Sequence, residues 1–257
     1  MNQENQIVVV GLGEVGRPLF ELLSKCYAVV GVDIAPPAVP AGKVDVLHIC
    51  FPFEIPNFVG ETARYIELFK PSVTVINSTV AVGTTRQVVT KTGTPVVHSP
   101  VRGKHVRMLA ELSHYTKFVG AMDPMVAKQV TAHFEGAGLK TKLLATPEAS
   151  ELAKLTETTY FGVLIAWAQE VERYCDKSGA SYEEIISFYD EISFFPSTKY
   201  FPGIIGGHCV MPNIEILRKF DDSPILNAIR ASNQAKIERE AGKQVIEQSA
   251  KVIGSGR

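Results

Sequence analysis

Ile7-Val8-Val9-Val10-Gly11-Leu12-Gly13-Glu14-Val15-Gly16-Arg17-Pro18-Leu19-Phe20-Glu21-Leu22-Leu23 decides the fold. Ile7 to Val10 is a continuously apolar, β-branched run, as expected of a strand buried on both faces of a parallel sheet. It leads straight into a GxGxxG loop and then into a helical pattern. Strand, loop and helix in that order seat a pyrophosphate on a helix N-terminus: Gly11 makes the turn, Gly13 admits the phosphates and Gly16 lets helix and strand pack closely. A second strand, Ala28 to Val32, ends in Asp33, about 20 residues on, where an acid accepts hydrogen bonds from the adenine ribose. Asp33 would repel a 2′-phosphate, and Ile34-Ala35-Pro36-Pro37 offers no arginine to hold one. The expected cofactor is therefore NAD, bound by Gly11, Leu12, Gly13, Glu14, Val15, Gly16 and Asp33.

Outward from this unit, strands and helices alternate, which predicts a doubly wound α/β domain over residues 1–145. Pro36 to Lys43 reads as a loop where a crossover helix would stand. Strands are expected at Val44–Cys50, Val73–Thr79, Val96–His98 and Lys117–Gly120, with an edge strand at Thr141–Leu144. Helices are expected at Gly60–Phe69, Thr84–Thr92 and Pro124–Phe134. Ligands in such sheets sit at the carboxyl ends of strands, which places Asn77, Ser78 and Thr79 near the cofactor. The alternative is that Ser78 and Thr79 only cap the following helix. After Ser99-Pro100-Val101, the residues Arg102, Lys104, His105 and Arg107 form a local basic patch. It suits an anionic substrate, with Arg102 foremost, or is simply a solvated loop.

From Thr146-Pro147, an N-cap followed by proline at the first helical position, the pattern changes. One helix running to Gly179 would be about 48 Å long. Such a length suits a link between domains or pairing with a second subunit, so residues 146–257 are expected to form a smaller all-α domain and the chain a homodimer through this helix. Glu151, Lys154 and Thr158 share one face of it. Further helices are expected at Tyr182–Tyr189, Asn213–Phe220 and Ile225 to about Lys251.

With 257 residues, 46% apolar and 21% charged, the composition is globular, and a net charge of −1 offers no general attraction for nucleic acid or an anionic membrane. A small-molecule ligand is favoured, and any anion binding must be local. The polar start Met1 to Gln6 and the lack of an apolar run of about 18 residues predict a cytoplasmic protein without a membrane span. Cys26, Cys50, Cys175 and Cys209 are far apart, which predicts neither disulfide framework nor metal site. His48 and Cys50 are assigned to the core.

Pro202-Gly203-Ile204-Ile205-Gly206-Gly207-His208-Cys209 ends a glycine-rich turn on a cysteine. Two assignments stand for Cys209: a small buried hydrophobe, or a nucleophile whose thiol is acidified by His208 or a nearby cation.

Taken together, the chain resembles the UDP-glucose/GDP-mannose dehydrogenase family, NAD-dependent sugar-nucleotide 6-dehydrogenases. The resemblance rests on the GxGxxG loop, on Asn77-Ser78-Thr79-Val80-Ala81-Val82-Gly83-Thr84-Thr85, on Glu151-Leu152-Ala153-Lys154-Leu155 and on Gly206-Gly207-His208-Cys209. It implies that Cys209 attacks an aldehyde formed by a first oxidation, that the thiohemiacetal gives a hydride to a second NAD, and that the thioester is hydrolysed. By the same resemblance Lys154 stabilises the oxyanion, Thr79 lies near the nicotinamide, and Gly206, Gly207 and His208 receive the sugar. Three positions depart from the family: Thr158 stands for its asparagine, Asn213 for its aspartate and Val101 for its glutamate. The family's C-terminal nucleotide-binding domain is not within this sequence, so either a second subunit completes the site or the substrate lacks a large nucleotide. Two other assignments remain: a β-hydroxyacid dehydrogenase using Lys154 as acid/base with Cys209 as packing, or a non-catalytic nucleotide-binding homologue.

Overall fold

The computed structural model describes residues 6–33, 42–103, 107–193, 200–207 and 209–254, excepting the side chains of 244–254. The chain divides into two compact units, Met1–Leu155 and Thr156–Arg257.

The first unit is a seven-stranded sheet in the order β2-β1-β3-β4-β5-β6-β7, built from β1 (Gln6–Val10), β2 (Ala28–Val32), β3 (Val44–Ile49), β4 (Val73–Ile76), β5 (Val96–His98), β6 (Lys117–Ala121) and β7 (Thr141–Leu144). The first five are mutually parallel, β6 runs antiparallel to β5, and β7 is parallel to β6. Alternation along β1 shows how the sheet is covered. Ile7 and Val9 enter one core with Leu19, Leu22, Met108, Val130 and Phe134, from α1 (Gly16–Leu23), α4 (Met108–His114) and α5 (Pro124–Gly136). Val8 and Val10 enter the opposite core with Phe58, Tyr65, Phe69 and Val88, from α2 (Phe58–Phe69) and α3 (Thr84–Thr92). Both faces are thus apolar, as the unbroken β-branched run requires. The doubly wound expectation holds.

Some boundaries move. β4 ends at Ile76, three residues before the expected end, and the seven-residue α4, too short to show a helical period, was absent from the sequence pattern. The expected loop at 36–43 falls largely outside the described residues.

His48, assigned to the core, is 0% exposed and belongs to a buried polar chain. Asn77 donates from Nδ2 to His48 Nδ1 at 3.1 Å, which places the His48 proton on Nε2, facing His133 Nε2 at 3.0 Å. Asn77 Oδ1 in turn accepts from Lys117 Nζ at 3.0 Å, and Lys117 also donates to the Ser99 carbonyl. Neither acceptor carries a charge to hold the ammonium form. Burial, opposed by Cys50 and aided by the charge of Lys154, lowers the Lys117 pKa to about 7. Because the folded value lies below the ordinary 10.5, the unfolded chain binds more protons between the two values. Stability therefore rises with pH through that window and is lost as pH falls through the folded pKa. Between about pH 7 and about pH 9 the wild-type urea midpoint is expected to rise by an amount worth on the order of 2 kcal/mol. Lys117→Met is expected to abolish that rise, as urea titrations at the two pH values would show.

The second unit is helical. α6 (Pro147–Ser178) begins in the first unit, with Thr146 Oγ1 accepting from the Ala149 amide at 3.1 Å, and runs without a break to the expected end. It passes through Gly162, where an added Cβ would lie 3.1 to 3.4 Å from Val210, Ile214 and Ile229. A small residue there admits α8 (Val210–Phe220) and α9 (Pro224–Gly254) against α6, around Ala166, Ile205, Ile214, Leu226 and Ile229. α7 (Tyr182–Asp190) packs Ile186 on Val171 and Cys175 of α6. Among the described residues, no helix is long and apolar enough to cross a membrane, and no cluster of three or more His, Cys, Asp or Glu side chains is arranged to hold a metal.

Candidate functional site

The loop after β1 has the geometry of a phosphate cradle. Gly11 has φ 88°, and its amide donates to the Val32 carbonyl at 2.8 Å, tying the turn to β2. A Cβ on Gly16 would lie 1.8 Å from the Gly11 carbonyl oxygen, so α1 can start against the turn only with glycine there. A Cβ on Gly13, in contrast, meets nothing within 4 Å. Gly13 and Glu14 are exposed, Leu12 packs over Gly31, and Val15 is the N-cap of α1. No side chain caps that helix from Val15 and its first turn carries no acid. The positive end of the helix dipole is thus presented beside an open position, as an anion requires. Asp33 follows Val32 directly and is exposed. These residues fit a dinucleotide.

The neighbouring strand ends converge on the same edge of the sheet. Ser78 donates from Oγ to the Phe51 carbonyl, just after β3, at 2.6 Å, and Thr79 is half-buried beside it. Neither hydroxyl caps α3. That task falls to Glu151 of α6, 0% exposed, whose carboxylate accepts from the Gly83 amide at 2.6 Å, the Thr85 amide at 2.8 Å and Thr85 Oγ1 at 2.6 Å. One residue earlier, Ser150 Oγ meets His98 Nδ1 at 2.9 Å, while His98 Nε2 donates to the Ser78 carbonyl at 3.1 Å. Burial first, and then the charges of Lys117 and Lys154, bring the His98 pKa down to about 3 against the pull of the Ser78 carbonyl. His98 is neutral, and Lys154, half-buried one turn beyond Glu151, is near enough for its charge to be felt there.

The expected basic patch is partly engaged. The Arg102 guanidinium lies over the rings of Tyr115 and Phe118, at 5.1 and 5.5 Å, and Arg107 pairs with Glu111 at 3.0 Å. Lys104 and His105 lie outside the described residues. Val101, where the resemblance places a glutamate, is 7% exposed and donates its amide to the Asn77 carbonyl.

In the second unit, Cys209 is the half-buried N-cap of α8. This corrects the expected helix start at Asn213. The helix begins at Val210, because Pro212 falls in the first turn, where a missing N–H costs nothing. Asn213 sits one turn in, 6% exposed, its amide donating to the Cys209 carbonyl at 3.3 Å. Thr158 is 7% exposed on α6. Two buried amides hold the glycine turn, and sequence reasoning missed both. Asn233 accepts from the Ile205 amide at 2.7 Å and donates to the Ile205 carbonyl at 3.0 Å, and Gln169 donates to the Gly203 carbonyl at 2.8 Å. Gly206 and Gly207 are exposed, with φ 75° at Gly207, and His208 lies outside the described residues.

The structure thus places Gly11 to Gly16, Asp33, Ser78, Thr79 and Lys154 in the first unit, and Thr158, Gly206, Gly207, Cys209 and Asn213 in the second. A UDP-N-acetyl-D-mannosamine dehydrogenase of Methanocaldococcus jannaschii is 26% identical over 80% of this chain, which spans only 59% of that relative's length. Among solved structures, a UDP-D-ManNAc dehydrogenase of Pyrococcus horikoshii matches 95% of the chain and 72% of its own with a TM-score of 0.79 at 21% identity. A 3-hydroxyisobutyrate dehydrogenase of Mycobacterium tuberculosis matches 93% of the chain and 94% of its own, with a TM-score of 0.70 at 17% identity. Residues 148–235, which include Lys154, the glycine turn and Cys209, match the central domain of the UDP-glucose/GDP-mannose dehydrogenase family.

Proposed function

We propose that this chain forms part of an NAD-dependent dehydrogenase that oxidises a CH–OH group of a nucleotide sugar, with UDP-N-acetylmannosamine the first candidate from the relatives' names. The observation that carries it is the open Gly13 position at the uncapped start of α1, next to Asp33. NAD, when bound there, accepts the hydride. Gly11 and Gly16 shape the cradle, Gly13 leaves room for the pyrophosphate, Asp33 takes the ribose hydroxyls and excludes a 2′-phosphate, and Ser78 and Thr79 border the nicotinamide end. Cys209 as thiolate adds to the carbonyl carbon of the aldehyde from the first oxidation, and Lys154 stabilises the resulting oxygen anion. Loss of a second hydride, to a second NAD, leaves a thioester, which water cleaves, releasing the acid and the thiol. Thr158 and Asn213 orient that water without taking its proton, since neither is a base. Arg102, Gly206, Gly207 and His208 receive the substrate. Reduction of NAD on addition of UDP-N-acetylmannosamine tests this, and no reduction with any nucleotide sugar would count against it.

A second reading draws on the fold shared with the 3-hydroxyisobutyrate dehydrogenase. There the substrate is a small hydroxy acid, Lys154 is the acid/base and Cys209 is packing. Oxidation of hydroxy acids that survives Cys209→Ala would favour it.

The active form is a homodimer paired along α6. Tyr160, Trp167 and Tyr174 repeat every seven residues and are 53%, 51% and 54% exposed, forming one aromatic seam. Light scattering is expected to give twice the chain mass for the wild type and the single-chain mass for Trp167→Glu.

A further inference from the structure

We infer that Glu151 and Ser150 are positioning residues for this proposed chemistry: they fix the turn of α6 that carries Lys154 against the β4–α3 loop that carries Thr79. The proposal rests on the dehydrogenase reading, but its geometry stands apart from it. The loop from Ser78 to Gly83 is held from both sides by two adjacent residues of α6. At the β4 end, Ser150 bonds His98, which donates to the Ser78 carbonyl. At the α3 end, Glu151 takes the Gly83 and Thr85 amides and the Thr85 hydroxyl. Thr79 lies between these two anchors, and Lys154 follows Glu151 by three residues, on the same face of α6.

The choice of a carboxylate follows from the donors it meets. Three N–H and O–H groups converge on two oxygens, and the two amides open α3, where the helix dipole favours negative charge. A glutamine keeps the shape but puts an N–H against at least one of the three donors. An aspartate is one methylene too short to reach both amides from α6. Glu151 is fully buried and has no route to a substrate, so any effect on turnover must pass through what it holds.

The test uses Glu151→Gln, Lys154→Met and the double variant in the full chain, with two readouts. The first is hydrogen exchange of residues 78–85, which needs no activity. Exchange there is expected to rise at least about tenfold in Glu151→Gln, from the loss of a charge-assisted bond, while the β1–β3 core keeps its protection. Unchanged exchange would overturn the link. The second is kinetic: Glu151→Gln is expected to lower kcat about 30-fold with KM for NAD within about twofold, and to add almost nothing in the Lys154→Met background. Losses that multiply in the double variant would show that Glu151 does not act through Lys154. A wild-type chain that reduces no NAD speaks against the dehydrogenase reading alone, and the exchange of residues 78–85 then decides the positioning claim by itself.

Discussion

Cys209→Ala is expected to lower kcat for nucleotide-sugar oxidation by about a thousand-fold or more while leaving the Kd for NAD unchanged. The cysteine sits at the start of α8 in the second unit, whereas the cofactor cradle lies wholly in the first, on β1, β2 and α1. In the proposed mechanism, removal of the thiol deletes the group that forms the covalent intermediate and alters none of the residues assigned to the dinucleotide. The half-buried side chain is small, so stability should change by less than about 1 kcal/mol. Steady-state rates and a cofactor titration on the same preparation measure both quantities. Retention of the nucleotide-sugar oxidation rate would remove Cys209 from the mechanism.

Gly13→Ala and Gly16→Ala are expected to separate binding from folding. A Cβ on Gly13 meets no atom of the protein, so the variant should melt within about 2 °C of the wild type. In the proposed binding mode that Cβ occupies the space through which the pyrophosphate approaches, so NAD affinity should fall tenfold or more, about 1.4 kcal/mol or beyond. Gly16→Ala is different in kind. Its Cβ would overlap the Gly11 carbonyl at 1.8 Å, and the forced shift between α1 and the turn should cost about 3 kcal/mol of stability. Thermal melts with and without NAD distinguish the two. A Gly13→Ala variant that binds NAD like the wild type would mean that the open space beside Gly13 does not receive the cofactor.

The parts of this protein that were legible in its sequence are those fixed by local chemistry. Ile7 to Val10 announced a strand covered on both faces, and the two cores against its alternate residues are the physical content of that run. Thr146-Pro147 marked the start of α6, and its capping bond is present. Elements set by distant partners were less visible. Glu151 could be placed on the Lys154 face of a helix, but its donors, Gly83 and Thr85, lie 68 and 66 residues away, and nothing local in either segment names the other. Asn233 and Gln169 escaped notice for the same reason, being ordinary polar residues on helical stretches until the glycine turn folds onto them. α8 starts at Val210, ahead of the expected Asn213, since a proline in the first turn of a helix breaks nothing.

The proposed reaction is a cysteine-mediated oxidation of a nucleotide sugar by NAD. Its most direct measurement is the number of NADH molecules formed per molecule of UDP-N-acetylmannosamine consumed, with the sugar product identified by mass. Two NADH and the uronic acid are expected. No NADH from any nucleotide sugar, or one NADH with release of an unoxidised aldehyde, would contradict it.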